Sequence, residues 1–346
     1  MKKFYFLMLC LLTLSVSAIA QTVKSVSSPD GNIKVDVRIG NGITYDVYCG
    51  EEKVLADCRM SMDIEGNVLG SLPKLQSVKR QKVNDVKRPF LKLKFAEVPN
   101  NYNEMTLVMK GNYSVVFRAY NDGLAYRFVT SLKGEVKVNH EDITVFFPQD
   151  AQLVLQQSDR YRTSYEERYS FVKSSEWLSF QKMAHYPVLA ITSGGTKILM
   201  SESDLCDYPA PFFRSNDANG FSSVFPRVPA VEKPRSDKSN DVLLRHPYIA
   251  KTKGTRSFPW RYFVIAKDEA ALVTNTMTCR LAQDSRLDDV SWIVPGQASW
   301  EWWNGAVPYG PEVKFKAGLN VETYKYFMDF ASKYGKIGRA SCRERV

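Results

Sequence analysis

The sequence predicts a mainly β fold, an extended two-sheet sandwich followed by one strand–loop–helix unit. Three observations predict it. Short runs with period-two alternation of apolar and polar residues recur from Gln21 to about Leu287. Turn residues separate them at even spacing, as in sandwiches and barrels. After residue 285 the period changes and a single amphipathic helix appears.

The first hairpin is the clearest. Ile33, Val35, Val37 and Ile39 alternate with polar residues, and Gly40-Asn41-Gly42 supplies the positive-φ positions of a tight turn. Ile43, Tyr45 and Val47 then alternate on the return. Ser28-Pro29-Asp30-Gly31, just before, is a turn: proline presets φ and glycine takes the left-handed position. "LKLKF" (91–95), "MTLVMK" (105–110), "YSVVFRAY" (113–120) and "LAYRFVT" (124–130) continue the series. "EVKVN", "ITVFF", "YPVLAIT", "TKILMSES" and "RYFVIA" follow as further short strands. The length of this region exceeds a single small sandwich and suits two large packed sheets. "KPRSDKSND" (233–241) reads as an exposed polar loop and Asp122-Gly123 as a hairpin turn.

Near the end, "SWIVPGQASWEWWNG" holds a short strand expected over 298–303, then a Gly- and Pro-rich loop from Asn304 to Lys316. "LNVETYKYFMDFASKYG" reads as a helix with Asn320 as N-cap, Gly335 as C-cap glycine, and Tyr324, Phe327, Met328, Ala331 and Tyr334 on one face. Strand, loop and helix together form the opening unit of an α/β domain and cannot fold alone.

Both ends are expected to be foreign to the folded domain. Residues 1–20 have a Lys2-Lys3 n-region, an apolar h-region and the small-x-small "AIA" before Gln21, the pattern of a secretory signal peptide. The mature chain is thus expected to start at Gln21 in the periplasm, with no membrane span. "IGRASCRERV" (337–346) back-translates into a short-read sequencing adapter and is set aside, so the natural sequence is expected to continue differently after Lys336. Without Lys2, Lys3, Arg339, Arg343, Arg345 and Glu344 the formal charge falls from +10 to +6. The remaining basic residues are scattered with no stripe on one face, which excludes nucleic acid as a partner.

Cys49, Cys58, Cys206 and Cys279 remain in the mature segment, with no C-x-x-C pair. A Cys49–Cys58 bridge between neighbouring strands is conceivable, and buried free thiols are the preferred expectation. His140, His185 and His246 have no metal-helix spacing, and His246 before Pro247 reads as structural.

Four of the six tryptophans, Trp292, Trp300, Trp302 and Trp303, crowd this terminal strand. An indole is costly to expose, and its N–H needs a partner when buried. The cluster is either an over-filled core or a stacking surface for sugar rings. In a (β/α)8 barrel the active site is built from loops at the C-terminal ends of the strands, and Trp302, Trp303 and Asn304 lie at that end of the first strand. They are the candidate substrate-binding residues. Alternation puts Trp300 and Trp302 on one face and Trp303 on the other, so at least one belongs to the core.

Seven stretches, in order and at matching spacing, resemble glycoside hydrolase family 97. They are "SPDGNIKVDV", "FRAYNDGLAYRF", "SYEERY", "SESDLCDYPAPFF", "GTRSFPWRYFVIA", "DDVSWIVPGQASWEWWN" and "GLNVETYKYFMDFASKYG". The resemblance implies exported α-glycosidases with an N-terminal β-super-sandwich, a (β/α)8 catalytic barrel and a C-terminal β-domain. It places the super-sandwich at 21–287 and the start of a truncated barrel at 288–336. It implies an active-site calcium (Ca2+) held by carboxylates, one from the sandwich. By motif that carboxylate is Glu202 in "SESDL", a hard oxygen ligand at a strand end. Asp204 and Asp207 are then loop-orienting neighbours.

Arg127 and Arg256 read as buried cations in structural pairs. Tyr165 and Glu166 could reach a domain interface. Glu301 reads as packed within its strand. The catalytic acid and base are implied on barrel strands beyond Lys336, so this segment alone is expected to be inactive. The implied substrate is a terminal α-glucoside of an oligosaccharide, with an α-galactoside as the family alternative. A non-catalytic carbohydrate-binding sandwich is the rival reading, and the strand–loop–helix unit argues against it.

Overall fold

The computed structural model describes residues 21–89, 94–236, 239–293, 296–301, 305–335 and the backbone of 338–340. The chain is mainly β, 54% strand and 8% helix. It divides into two compact units, Met1–Arg88 with Glu97–Gln283, and Pro89–Ala96 with Asp284–Val346.

Among the described residues of the first unit, seventeen strands form one hydrogen-bonded network. Its N-terminal meander follows the alternation in the sequence. Ile33–Ile39 buries Ile33, Val35, Val37 and Ile39, and pairs with Ile43–Cys49 in the expected hairpin. Val37 faces Tyr45, and Tyr45 packs with Phe117, Tyr126 and Phe263 at centroid separations of 5.7–6.5 Å. These rings lie in the main core. Each fully buried large apolar side chain stabilises such a core by about 1.5–3 kcal/mol.

The spine is a strand of 24 residues, Gly123–Phe146. "LAYRFVT", "EVKVN" and "ITVFF" read as three strands but belong to it, apart from Phe147. Gly134, at φ +69°, sits where a turn was expected, and the chain continues through it. Opposite, the register slips between Lys253 and Thr255, so a bulge absorbs the irregularity and the strand bends rather than reverses. Its first half pairs with Tyr113–Tyr120 and Trp260–Ala266, its second with Glu52–Ile64 and Gly220–Val224.

Trp260–Ala266 is buried at every residue. Phe263 and Ile265 face the main core, while Trp260, Tyr262 and Val264 join a second cluster with Met277 and Leu281. Met277 and Leu281 come from a short helix, Met277–Leu281, which follows Glu269–Thr274. Neither helix was expected from the sequence, because five or six residues hold too little periodicity to register. Asp122 does more than turn the chain: it accepts hydrogen bonds from Asn275 Nδ2 (2.8 Å) and from Arg280 and so ties this helical segment to the sheet.

One further expectation is corrected. Residues 233–241 are not a plain loop. Pro229–Ser236 and Ser239–Arg245 pair as an antiparallel ribbon, exposed on most of its length, which hides the usual burial alternation. Cys49 and Cys58 are buried free thiols: Cys49 lies opposite Glu52 and Cys58 opposite Tyr45, on separate rungs of the pairing. Cys206, by contrast, is exposed. The "LKLKF" strand falls mostly outside the described residues.

In the second unit, Ala298–Trp300 pairs in parallel with Gly338–Ala340, and the helix Val321–Lys333 connects them. Asn320 caps that helix by accepting from Thr323 N at 2.9 Å, and Gly335 takes φ +62° beyond it. Thr323 and Ala331 are buried, while Met328 and Tyr334 remain exposed at 49% and 59%. The expected apolar face is therefore only partly covered. No helix among the described residues is long and apolar enough to cross a membrane.

Candidate functional site

Glu202 lies on Lys197–Ser203, directly opposite Arg261 in the antiparallel pairing with Trp260–Ala266. Directly paired residues point to the same face, so the two side chains meet. Arg261 Nη1 donates to Glu202 Oε2. The other edge of the guanidinium forks onto Glu141, with Nε to Oε1 at 3.0 Å and Nη2 to Oε2 at 2.7 Å. Glu141 belongs to the second half of the long strand, so this pair ties Trp260–Ala266, which runs beside the first half, to the second half. Side-chain exposure is 1% for Arg261, 3% for Glu141 and 12% for Glu202. The trio carries two carboxylates and one guanidinium, one formal negative charge in all, and Glu202 is its outermost member.

Burial raises the Glu202 pKa above the usual carboxylate range; Arg261 opposes the shift and Glu141 adds to it. For Arg261, burial lowers the pKa, but the two carboxylates reverse that and hold it well above its ordinary value. The guanidinium stays charged and the pair stays formed. The rings of Tyr208 and Phe225 lie 6.0 and 5.9 Å from it.

The loop after Glu202 is fixed by its own polar contacts. Asp204 and Asp207 take positive φ (+64° and +51°), which aspartate tolerates better than most residues. Gln283 donates to both oxygens of Asp204, and Thr252 donates to Asp207 at 2.7 Å. Arg256 donates to the carbonyls of Cys206 (2.7 Å) and Asp207 (3.1 Å). Asp204 and Asp207 thus orient the loop, and Arg256 is the structural arginine the sequence suggested. Arg127 differs: it stacks on Trp260 at 4.1 Å, and its nearest anion is Asp204 at 3.8 Å. Burial lowers its pKa to about 10.

Beside Glu202 stands a small aromatic group. Tyr165, at φ +60°, lies edge-on to His185 at 4.5 Å, and His185 to Phe212 at 5.8 Å. Burial, followed by the charge of Glu202, raises the Tyr165 pKa. His185 is 1% exposed, and its Nδ1–H donates to Tyr186 O at 3.0 Å. His246 stacks on Tyr248 at 4.8 Å and is structural.

Trp302, Trp303 and Asn304 lie outside the described residues. Their neighbours follow the expected alternation, with Ser299 and Glu301 buried and Trp300 43% exposed. Sequence reasoning missed Arg261 and Glu141. The available signal was an arginine inside the otherwise apolar "WRYFVIA", since a lone charge in a buried strand demands a counter-ion.

Calcium takes six to eight oxygen ligands, mostly carboxylate and carbonyl. Among the described residues no group of three or more His, Cys, Asp or Glu could hold a metal ion. Glu202 Oε2 is engaged by Arg261, and Oε1 accepts no hydrogen bond from the described residues. The described donor set therefore offers a cation one carboxylate oxygen and does not make a metal site.

Residues 26–283 match the family model described as Glycosyl-hydrolase 97 N-terminal. The chain belongs to glycoside hydrolase family 97. It is 35% identical to a retaining alpha-galactosidase of Bacteroides thetaiotaomicron over 97% of its own length and 52% of the relative's. It is 26% identical to a probable retaining alpha-galactosidase of Streptomyces bingchenggensis, over 89% of this chain and 44% of the other. The chain thus spans about half the length of the curated relatives it matches. Among solved structures, a family 97 enzyme of Pseudoalteromonas sp. strain K8 in complex with panose superposes with a TM-score of 0.72. It is 22% identical, over 90% of this chain and 46% of that one. A beta-arabinopyranosidase superposes with a TM-score of 0.70 at 19% identity, over 90% of this chain and 49% of the other. These two likenesses concern the fold.

Proposed function

We propose that this family 97 chain is the N-terminal part of a calcium-dependent, exo-acting α-glycosidase that removes terminal α-galactosides from oligosaccharides. The observation that carries the reading is the 35% identity to a retaining alpha-galactosidase across nearly the whole chain. The sequence had led us to expect α-glucosides. That choice has no observation of its own, and the names of both curated relatives fit the galactoside alternative at least as well.

In this reading residues 288–336 open a (β/α)8 barrel that supplies the catalytic carboxylates, since glycoside hydrolysis needs two of them flanking the scissile bond. Trp302 and Trp303 stack on sugar faces and Asn304 binds hydroxyls. Glu202 gives one carboxylate oxygen to the calcium. When bound, that ion supplies charge that can polarise a sugar oxygen or water. Arg261 and Glu141 hold Glu202, and the loop from Asp204 to Asp207 keeps the strand end rigid. Residues 1–20 export the protein to the periplasm.

The test is kcat/KM of the full-length protein on p-nitrophenyl α-D-galactoside and α-D-glucoside. A preference of at least roughly tenfold for the galactoside is expected, because a site built to hydrogen-bond one hydroxyl rejects its epimer by that much or more. A preference for the glucoside would restore the other specificity. Cleavage of neither would overturn the reading.

A further inference from the structure

We propose that the cleft between residues 207–209 and the base of the exposed ribbon binds an organic carboxylate. The anionic head pairs with Arg227 and Arg245, and the apolar body lies against Pro226, Val228, Pro229 and Val242. The inference is independent of the catalytic reading and of any metal.

The cleft is built into the fold. It encloses about 560 Å³, the size of small-molecule sites, which combine apolar walls with a few fixed polar groups. Pro226 and Pro229 give it walls whose φ is fixed by the ring. Between them, Val228 donates its N–H to Tyr248 O at 3.0 Å and accepts from His246 N at 2.8 Å. That exchange ties the wall to the segment leading into the strand Ala250–Ser257. Val242 is held in turn by the pairing of Ser239–Arg245 with Pro229–Ser236.

The charges of the lining are unbalanced. It holds Arg227, Arg245 and Lys251 against one carboxylate, Asp207. Asp207 is already answered: Thr252 donates to it at 2.7 Å, and Arg256 Nη1 lies 3.7 Å away. Lys251 faces Glu135 at 3.1 Å. Arg227 and Arg245 have no carboxylate partner among the described residues. Arg245 is nonetheless fixed, because its Nη1 donates to Arg227 O at 2.6 Å. Both arginines are exposed, so their remaining donors are open to a ligand.

A third arginine adds to the positive field. Burial raises the pKa of Tyr161, while Arg214, Arg245 and Arg227 oppose the shift, so all three act on one hydroxyl. Arg214 is held by the carbonyls of Gln181 and Ser179 and brings no counter-charge. A guanidinium presents its donors as a planar fork that matches a carboxylate. The apolar walls beside it favour an apolar body over a second polar group, which would be left without partners.

The probe is para-fluorobenzoate, a carboxylate on an apolar ring, followed by fluorine NMR with the full-length protein. Its signal should shift and broaden on titration, and benzoate should displace it. Benzamide, the same shape without the charge, and acetate, the head without the body, should each displace it at least roughly tenfold less well. Arg227→Gln should weaken binding by roughly tenfold, the order of a lost charge-assisted hydrogen bond. Arg227→Lys keeps the charge, loses the fork and should recover only part of the affinity. The Arg227 side chain is exposed, so these variants should fold, as matching near-ultraviolet circular dichroism would verify. Arg235→Gln removes a ribbon cation that lies 3.8 Å from Asp241 and outside the lining, and should leave binding unchanged. A loss as large with Arg235→Gln as with Arg227→Gln would mean diffuse attraction to basic surface and would overturn the site. Acetate displacing as well as benzoate would overturn the role of the apolar walls. No binding of the probe, or binding that Arg227→Gln leaves intact, would overturn the whole proposal.

Discussion

At the scale of single residues, a buried charge is held where its neighbours answer it. Asp46 shows the rule away from the site. It accepts from Arg38 at 2.9 Å, Lys53 at 2.9 Å and the backbone N–H of Asp57 at 2.8 Å. Burial pushes its pKa up, but Arg38, Asp57 N–H and Lys53 more than reverse this and hold it well below the carboxylate range. A carboxylate depressed in the folded state stabilises above its unfolded pKa, ordinarily 3.8, and the contribution is lost as pH falls through the folded value. Asp46→Asn should therefore lower stability by about 2 kcal/mol near pH 7, the scale of a lost charge-assisted hydrogen bond. The gap between parent and variant should narrow progressively in urea melts as pH falls below 3.8 towards the folded value. A gap independent of pH would mean that packing, and not charge, holds this residue. Arg261 obeys the same rule in a drier place. Its partners were illegible in sequence because Glu141 and Glu202 are far from it along the chain, and only the strand pairing brings all three together.

At the scale of elements, period two was legible and continuity was not. The hairpin of Ile33–Ile39 and Ile43–Cys49 came directly from alternation, but its Gly-Asn-Gly turn forms without the positive φ that the sequence suggested. The strand Gly123–Phe146 did not, since a glycine at positive φ marks a turn and a bulge equally well, and only the partner strands decide between them. The ribbon at 229–245 was missed for the converse reason: with neither face buried, no alternation is required of it. Close approach of backbones adds another constraint that pattern alone does not reveal. Gly220 faces the long strand so tightly that a Cβ would sit 2.0 Å from Val145 O. Gly220→Ala must push apart Gly220–Val224 and Gly123–Phe146, and should lower stability by about 2–4 kcal/mol, in the range of disruptive core changes. Thermal melting checks it. An unchanged midpoint would mean that the pairing yields without cost.

At the scale of the whole molecule, the motifs identified the family, and the fold then supplied what they could not. "SESDL" pointed to Glu202, but the trio that holds its carboxylate depends on three strands distant in sequence. The tryptophan-rich segment that raised sugar binding falls largely outside the described residues, so the folded account of the site rests on the sandwich. Its central claim is that this sandwich lends a carboxylate to a calcium-dependent α-glycosidase. The most direct measurement follows an aryl α-galactoside by proton NMR with the full-length protein, before and after removal of calcium by a chelator. The account predicts cleavage of the galactoside, arrest on chelation, and recovery when calcium is restored. Cleavage that continues unchanged in the chelator, or no cleavage at any calcium concentration, would contradict it.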